Sequence, residues 1–257
     1  MTETIELIKR HGSVRRYKQD PVPVEMVEKI VGAAQRSSTS SNLQMYSVVA
    51  VTDEAKKEKM AQLCGNQQFI REAPVFLAWC ADLSRLERIC ERQGYEQVSG
   101  YVENYLLATV DTAILMQTAA TAAESMGLGI CFVGAIRNRP RDVISLLNLP
   151  RLVFPLAGMA LGWPVAAPQI RPRLPLDAVL HWQSYDSSGE EKYLTAYDEA
   201  MIASGIYEGR KVKHGRDAEQ EVEPSVYGWM EHSARRVSKA VRLELGDVLR
   251  EQGYYLD

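Results

Sequence analysis

The feature that most constrains the fold is an apolar stretch near the middle of the chain, YVENYLLATVDTAILMQTAATAAESM, from Tyr101 to Met126. Its length and its nearly continuous small and apolar residues predict one long helix, which Gly127 and Gly129 end. Small or apolar residues occur almost all the way around this helix, and they leave little polar surface to face water. We therefore expect the helix to be buried in a large core or in an interface.

The composition is that of an ordinary globular protein. The 257 residues are enough for one large core or two small ones, and the net charge of −3 gives no general attraction to nucleic acid. The N-terminus is too polar for a signal peptide, and we expect no apolar run to reach the length of a membrane span. The four cysteines lack close pairing and the four histidines are scattered. We expect a cytoplasmic protein with reduced thiols, no metal, and no nucleic-acid or membrane partner.

Helical and strand-like segments alternate irregularly along the rest of the chain. The helical patterns are TIELIKRHG, VEMVEKIVGAAQRS, EAKKEKMAQLCG and PRDVISLLNLP, and the strand-like runs are YSVVAVTD, PVFLAWCAD, ICFVGAIRN and VFPLAGMALGWP. This order lacks the strict alternation of a doubly wound fold.

The composition changes beyond about residue 185. An exposed amphipathic helix, SSGEEKYLTAYDEAMIASG, is followed by a charged loop and then by one last long helix, SVYGWMEHSARRVSKAVRLELGDVLREQG. This tail has too little apolar surface for a core of its own. We expect residues 1–185 to form the core, and residues 186–257 to pack on that core or on a partner subunit rather than form an independent domain.

Three polar segments stand at the ends of apolar elements: HGSVR, SSTSSNLQ and RPR. Arg171 and Arg173 lie two residues apart in an extended segment, so their side chains point to the same side and can clamp a phosphate. Ser13 and the serine run 38–41 offer hydroxyl groups for a polyol chain. A solvated loop and a polar linker after a helix remain the plain alternatives. The sequence lacks GxSxG, HExxH and GxGxxG motifs, so an enzyme built on it would depend on a cofactor.

Four stretches in order, TIELIKRHGSVRRY, SSTSSNLQMYS, AESMGLG…VGAIRN and PLAGMALGWP…RPRLP, resemble the FMN-dependent nitroreductase family. The likeness runs from about residue 3 to residue 185. It is greatest to the NADPH-using group of oxygen-insensitive nitroreductases and flavin reductases. The resemblance implies an α+β fold with a central, mainly antiparallel sheet flanked by helices, and a C-terminal helical extension. It also implies a homodimer built on the long central helices, with FMN bound at the dimer interface.

Position by position, the resemblance implies a set of FMN contacts. Arg15 is expected near the N1/O2 edge of the flavin, where a positive charge stabilises the negative charge of reduction. The backbone N–H of Gly134 is expected to face flavin N5, so these two residues support chemistry for which the protein has no catalytic side chain of its own. The full set is His11, Ser13, Arg15, Ser40, Ser41, Gln44, Gln67, Val133, Gly134, Arg171 and Arg173. The chain departs from the family at Gly12, Phe132 and Ala135, where relatives often carry arginine, tyrosine and glycine.

The implied activity is hydride transfer from NADPH, with NADH as an alternative donor, to nitroaromatics, quinones or flavins by a ping-pong mechanism. Arg210, followed by Lys213 and Arg216, is expected to bind the 2′-phosphate of NADPH, with Arg235 or Arg236 assisting. A solvated loop is the alternative for this segment. Two other functions stay open: a free-flavin reductase that supplies reduced FMN to a monooxygenase, and a non-catalytic flavin-binding protein.

Overall fold

The computed structural model describes residues 2–98, 100–209, 211–213, 219–221 and 227–255. The chain divides into two compact units, one formed by Met1–Gln169 with Arg242–Asp257 and the other by Ile170–Val241. The units therefore divide the chain at a different place from the predicted boundary at residue 185, and the end of the chain returns to the first unit.

The first unit contains a four-stranded antiparallel sheet, which confirms the α+β prediction. Its strands are β1 (Tyr46–Val51), β2 (Val75–Asp82), β3 (Gly129–Val133) and β4 (Val153–Gly162), in the order β1-β2-β4-β3. Every residue of β2 is buried. Its continuous apolar sequence fits a central strand that is covered on both faces.

Helices cover both faces of this sheet. Phe76 and Ala78 of β2 join a core cluster with residues of α3 (Glu54–Leu63), α4 (Gln68–Glu72) and α7 (Pro140–Leu147). Leu77 and Trp79 join a cluster with residues of α2 (Val24–Ala34) and α6 (Val102–Ser125). This division follows from the alternation of side chains along a strand. The helices of this unit are α1 (Glu3–Lys9), α2 (Val24–Ala34), α3 (Glu54–Leu63), α4 (Gln68–Glu72), α5 (Ser84–Gln93), α6 (Val102–Ser125), α7 (Pro140–Leu147) and α10 (Leu245–Glu251).

The long central helix is α6, as the sequence predicts. Ala108, Leu115 and Ala119 on one side of α6 are fully buried. By length and hydropathy alone α6 could cross a membrane, so the expectation that no apolar segment reaches that length is wrong. The packing of its buried side against the sheet is nevertheless the behaviour of a core helix.

The end of the chain corrects another prediction. The last long helix is two helices, α9 (Trp229–Val237) and α10, and Arg242 between them has a left-handed φ of 57° that a helix cannot continue through. The helix is interrupted because α10 packs separately and buries Val248 and Leu249 in the first unit. After α10, the hydroxyl of Tyr254 donates to the carbonyl oxygens of Ala81 and Leu152.

The second unit contains α8 (Glu190–Ala203), α9 and two short strands, β5 (Lys211–Lys213) and β6 (Glu219–Glu221), which pair in antiparallel fashion. The predicted charged loop therefore holds part of a β-ribbon. Tyr197, Met201, Tyr207 and Tyr227 form a small buried cluster. The tail thus contributes a small cluster of its own, and the expectation that it is not an independent domain stays a prediction.

Candidate functional site

The basic segment that follows α1 is fixed to the sheet through its backbone. The Val14 N–H donates to the Ile130 carbonyl oxygen at 2.8 Å, and the Lys18 N–H donates to the Trp163 carbonyl oxygen at 2.8 Å. Val14 and Tyr17 are buried, whereas Ser13 and Arg15 are exposed. The anchored backbone thus presents the Ser13 and Arg15 side chains at the surface.

Arg15 lies close to the segment that contains Gln67. Its guanidinium carbon is 6.0 Å from the centre of the Phe69 ring, and Phe69 belongs to α4, for which Gln67 is the N-terminal capping residue. The side-chain amide of Gln67 donates to the Cys64 carbonyl oxygen at 2.7 Å. The fold therefore brings two of the predicted flavin-binding segments together.

His11 and Gly12 make contacts that the sequence did not indicate. Nδ1 of His11 lies 2.6 Å from Oε1 of Glu124 near the end of α6, so this imidazole is already paired. Gly12 is buried, and a Cβ atom there would lie 2.8 Å from the Cβ of Pro168 and 3.0 Å from the Gln169 carbonyl oxygen. Close packing therefore explains why this chain lacks a side chain at position 12.

The serine-rich loop lies beside α6. The Ser37 hydroxyl donates to the Thr118 hydroxyl at 2.7 Å, and the Ser40 N–H donates to Oδ1 of Asp111 at 2.9 Å. Ser41 and Gln44 are exposed, and both have left-handed backbone conformations. The loop is attached to the body of the first unit by its backbone, and it leaves these two side chains at the surface.

Gly134 opens a 3₁₀ turn, Gly134–Arg137, directly after β3. Val133 is buried and Gly134 is exposed, so the chain surfaces at this point. The Arg137 guanidinium donates to the Leu156 carbonyl oxygen, and beside it a cavity of about 300 Å³ extends to α6. Tyr105 and Met116 of α6 also line that cavity.

Arg171 and Arg173 belong to the second unit, where both are exposed. Nη1 of Arg173 donates to the carbonyl oxygens of Arg171 and Pro172 at 3.2 and 3.1 Å, and these bonds fold the guanidinium back on its own backbone. Of the predicted NADPH residues, Lys213 ends β5, whereas Arg210 and Arg216 lie outside the described residues.

Three residues of the site escaped the sequence analysis: Phe69, Asp111 and Glu124. A signal for Asp111 was present, because it is the only charged residue between Glu103 and Glu124 in an otherwise apolar helix. Phe69 and Glu124 carried no such signal, since each acts through a partner distant in sequence. Among the described residues, no group of histidine, cysteine and carboxylate side chains has the arrangement of a metal site.

Comparison with known proteins covers both parts of the chain. Residues 8–163 match the model of the nitroreductase family, and residues 171–257 match that of the nitroreductase family C-terminal domain. The chain is 37% identical over 254 residues to the oxygen-insensitive NADPH nitroreductase of Salmonella typhimurium, with 99% of each chain covered. It is 34% identical over 259 residues to the FMN reductase (NADPH) of Bacillus subtilis, again with 99% of each chain covered. The structure of the hypothetical oxidoreductase YcnD from Bacillus subtilis superposes with a TM-score of 0.90 over 100% of both chains, at 32% identity.

Proposed function

The chain belongs to the nitroreductase family, and from this membership we propose that it is an FMN-dependent oxidoreductase that uses NADPH, or NADH, to reduce small molecules. The observation that carries this proposal is the match to NADPH nitroreductase and FMN reductase relatives along nearly the whole length of both chains. Nitroaromatics, quinones and flavins are the acceptor classes that we propose.

The chemistry of the site residues fits FMN. Arg15 offers an exposed cation for the N1/O2 edge, and the exposed hydroxyls of Ser13 and Ser41 suit the ribityl chain. Gln67 offers an amide to the ring, while Arg171 and Arg173 offer two cations for the phosphate. When bound, FMN supplies the hydride-accepting chemistry that no side chain provides.

The remaining proposed contacts have narrower roles. His11, held by Glu124, positions the segment that carries Ser13 and Arg15. Ser40 and Gln44 contribute from the serine-rich loop. Gly134 contributes exposed backbone directly after β3, and Val133, the buried last residue of β3, places it there. The protein binds and orients the flavin, and it offers one open face to the donor and the acceptor in turn. Shared use of one face predicts ping-pong kinetics.

The visible spectrum of the purified protein tests this function directly. We expect flavin absorption bands that are lost when NADPH is added without oxygen and that return with a nitroaromatic such as nitrofurazone. A colourless protein that gains no bands after incubation with FMN would contradict the proposal. Bands that NADPH leaves unchanged would instead favour a non-catalytic flavin-binding protein.

A free-flavin reductase is the second candidate, because one group of relatives carries the name FMN reductase. The two functions differ in the acceptor. Steady-state rates with nitrofurazone and with free FMN, measured at the same NADPH concentration, separate them. A kcat/KM at least tenfold higher for free FMN would favour the reductase that supplies a monooxygenase.

For the NADPH phosphate we propose Arg210, followed by Lys213 and Arg216. Arg210→Ala should raise the KM for NADPH several-fold and leave the KM for NADH nearly unchanged, because only NADPH carries the 2′-phosphate. Lys192→Ala on the exposed surface of α8 is the matched control. Equal effects on both donors would place the phosphate site elsewhere.

We also propose a homodimer whose interface includes α6. Val102, Leu106, Val110 and Ile114 of this helix are between 41% and 53% exposed. They recur every four residues and so form one apolar stripe. A second copy of the chain would cover this stripe and bring FMN to the interface.

The cysteines fit a reducing compartment, which is why we retain the cytoplasmic prediction. Among the described residues no cysteine forms a disulfide: Cys64, Cys80 and Cys131 are buried thiols, and Cys90 is a partly exposed one. Small molecules are the proposed partners, and we propose none among nucleic acids or membranes.

A further inference from the structure

The loop Ser40–Gln44 has an unfavourable backbone. Ser41, Asn42 and Gln44 have φ angles of 48°, 57° and 52°, in the left-handed region. Residues with a Cβ atom avoid this region, and three of them within four positions form a strained segment. Local preference does not select this shape, so contacts from outside the loop must hold it.

Two such contacts lie at the two ends of the loop. Oδ1 of Asp111 on α6 accepts a hydrogen bond from the Ser40 N–H at 2.9 Å. Nη1 of Arg85 on α5 donates to the Gln44 carbonyl oxygen at 2.9 Å. Asp111 and Arg85 belong to different helices, so the two ends of the loop are held independently.

Arg85 is itself oriented by a buried carboxylate. Its Nη2 lies 3.7 Å from Oδ2 of Asp82, which is only 4% exposed. The other oxygen of Asp82 accepts from the backbone N–H and the hydroxyl of Ser84, at 2.9 and 2.6 Å. The first turn of α5 therefore fixes the direction from which Arg85 reaches the loop.

We propose that Asp111 and Arg85 are positioning residues that hold the Ser40–Gln44 loop in the shape that binds the flavin. This inference rests on the proposed function, because it concerns the same FMN site. Neither residue needs to touch FMN. Each acts through the backbone of the loop that presents Ser40, Ser41 and Gln44.

The surroundings of Asp111 indicate that it serves the site more than the stability of the fold. The residue is 1% exposed, and Oδ2 is buried without a hydrogen-bond partner among the described residues. Burying a carboxylate for one hydrogen bond does not repay the lost hydration. An apolar side chain of similar size would therefore maintain the fold at least as well, and the carboxylate serves to fix the Ser40 backbone.

Tyr46, the first residue of β1, is in contact with one of the positioning residues, because the Arg85 guanidinium donates to its carbonyl oxygen at 3.4 Å. Its hydroxyl is also buried without a partner among the described residues. Burial raises the pKa of Tyr46, the Arg85 charge opposes the rise and the Asp111 charge adds to it. The charges of Arg85 and Asp111 therefore both act on Tyr46, the first residue of β1, which is two residues after Gln44.

The test uses the full-length protein and three measurements: the Kd for FMN by quenching of flavin fluorescence, the melting temperature, and hydrogen exchange at the Ser40 amide without FMN. Asp111→Leu should raise the Kd about ten- to hundredfold, the range expected for a hydrogen bond to a charged group. It should also expose the Ser40 amide to exchange without lowering the melting temperature. Asp111→Asn keeps an oxygen that can accept from Ser40, so its Kd should stay within about threefold of wild type.

Arg85 provides the second arm of the test. Arg85→Ala should raise the Kd about three- to tenfold, a smaller effect because the Arg85 side chain is exposed. Glu103→Gln on α6 and Arg92→Ala on α5 are exposed controls on the same two helices, and both should bind FMN like wild type.

The inference is overturned if Asp111→Leu binds FMN with the wild-type Kd. It is also overturned if Asp111→Asn is as defective as Asp111→Leu, or if the loss of affinity is accompanied by a matching loss of melting temperature. A wild-type protein that binds no FMN would overturn the proposed function together with the inference. Normal wild-type binding with unaffected variants would overturn the inference alone.

Discussion

Replacing Arg15 by alanine should weaken FMN binding by about ten- to hundredfold. The guanidinium is exposed on an extended segment whose backbone is anchored at Val14 and Lys18, so its position costs little to organise when the flavin binds. A charge-assisted hydrogen bond contributes about 1.5–3 kcal/mol net, which corresponds to that range of affinities.

The same substitution should leave the fold nearly unchanged. Within the part of the chain that the structure describes, the Arg15 side chain makes one ring contact, its guanidinium carbon lying 6.0 Å from the centre of Phe69. A cation–π contact at an exposed site is worth about 0.5–1 kcal/mol. The buried side chains of Val14 and Tyr17, which hold the segment, are untouched. We therefore expect a shift of a few degrees at most in the melting temperature.

Fluorescence titration with FMN and anaerobic stopped-flow reduction by NADPH measure the two consequences. Arg15→Lys keeps the charge without the planar guanidinium and should fall between wild type and alanine. Arg16→Ala removes the neighbouring exposed arginine and is the matched control. Wild-type affinity and reduction rate in Arg15→Ala would refute the role given to Arg15. An equal defect in Arg16→Ala would show that net charge, not position, matters.

Three further outcomes follow from the packing. Leu106→Glu on the α6 stripe should convert a dimer to a monomer in sedimentation, whereas Ile89→Glu on α5 should not; a stable Leu106→Glu dimer would contradict the interface. Gly158→Ala should lower the free energy of unfolding in urea by about 1–3 kcal/mol, because the new Cβ would lie 2.2 Å from the Phe76 ring. Gly32→Ala on α2 is the control, and it should be neutral or stabilising because the space around Gly32 is open. Burial raises the pKa values of Cys64 and Cys80 to about 12, so their thiols stay protonated at pH 8, and Cys131 is only 1% exposed. A thiol reagent should therefore label Cys90 alone before unfolding, and rapid labelling of more than one thiol would contradict this.

The sheet and the helices were predictable where one pattern dominated. The continuous apolar run of β2 indicated a central strand, and the even distribution of apolar residues in α6 indicated a core or interface helix. Short polar helices gave no comparable signal. α5 has charged residues on most of its surface and α4 has only five residues, so neither stood out from loop sequence.

The last segment was wrongly predicted as one helix because its two halves pack in different core clusters. The helical pattern continues from α9 through α10, and no glycine or proline interrupts Ser238–Glu244. Burial of Val248 and Leu249 in the first unit, together with the hydrogen bonds of Tyr254, outweighs the local preference for a continuous helix. Such tertiary packing is invisible to periodicity alone.

The candidate site shows the same division between the exposed residues that we propose as flavin contacts and the residues that position them. Ser13, Arg15 and Ser41 were predicted from the family motifs, and all three are exposed; their roles stay predictions. Asp111 could have been found by a different argument, since a lone carboxylate in an apolar helix is costly unless something requires it. The structure shows what requires it: a backbone N–H at the start of a strained loop. A buried charge that stabilises little and anchors a binding loop is therefore a signal of function that a motif search does not look for.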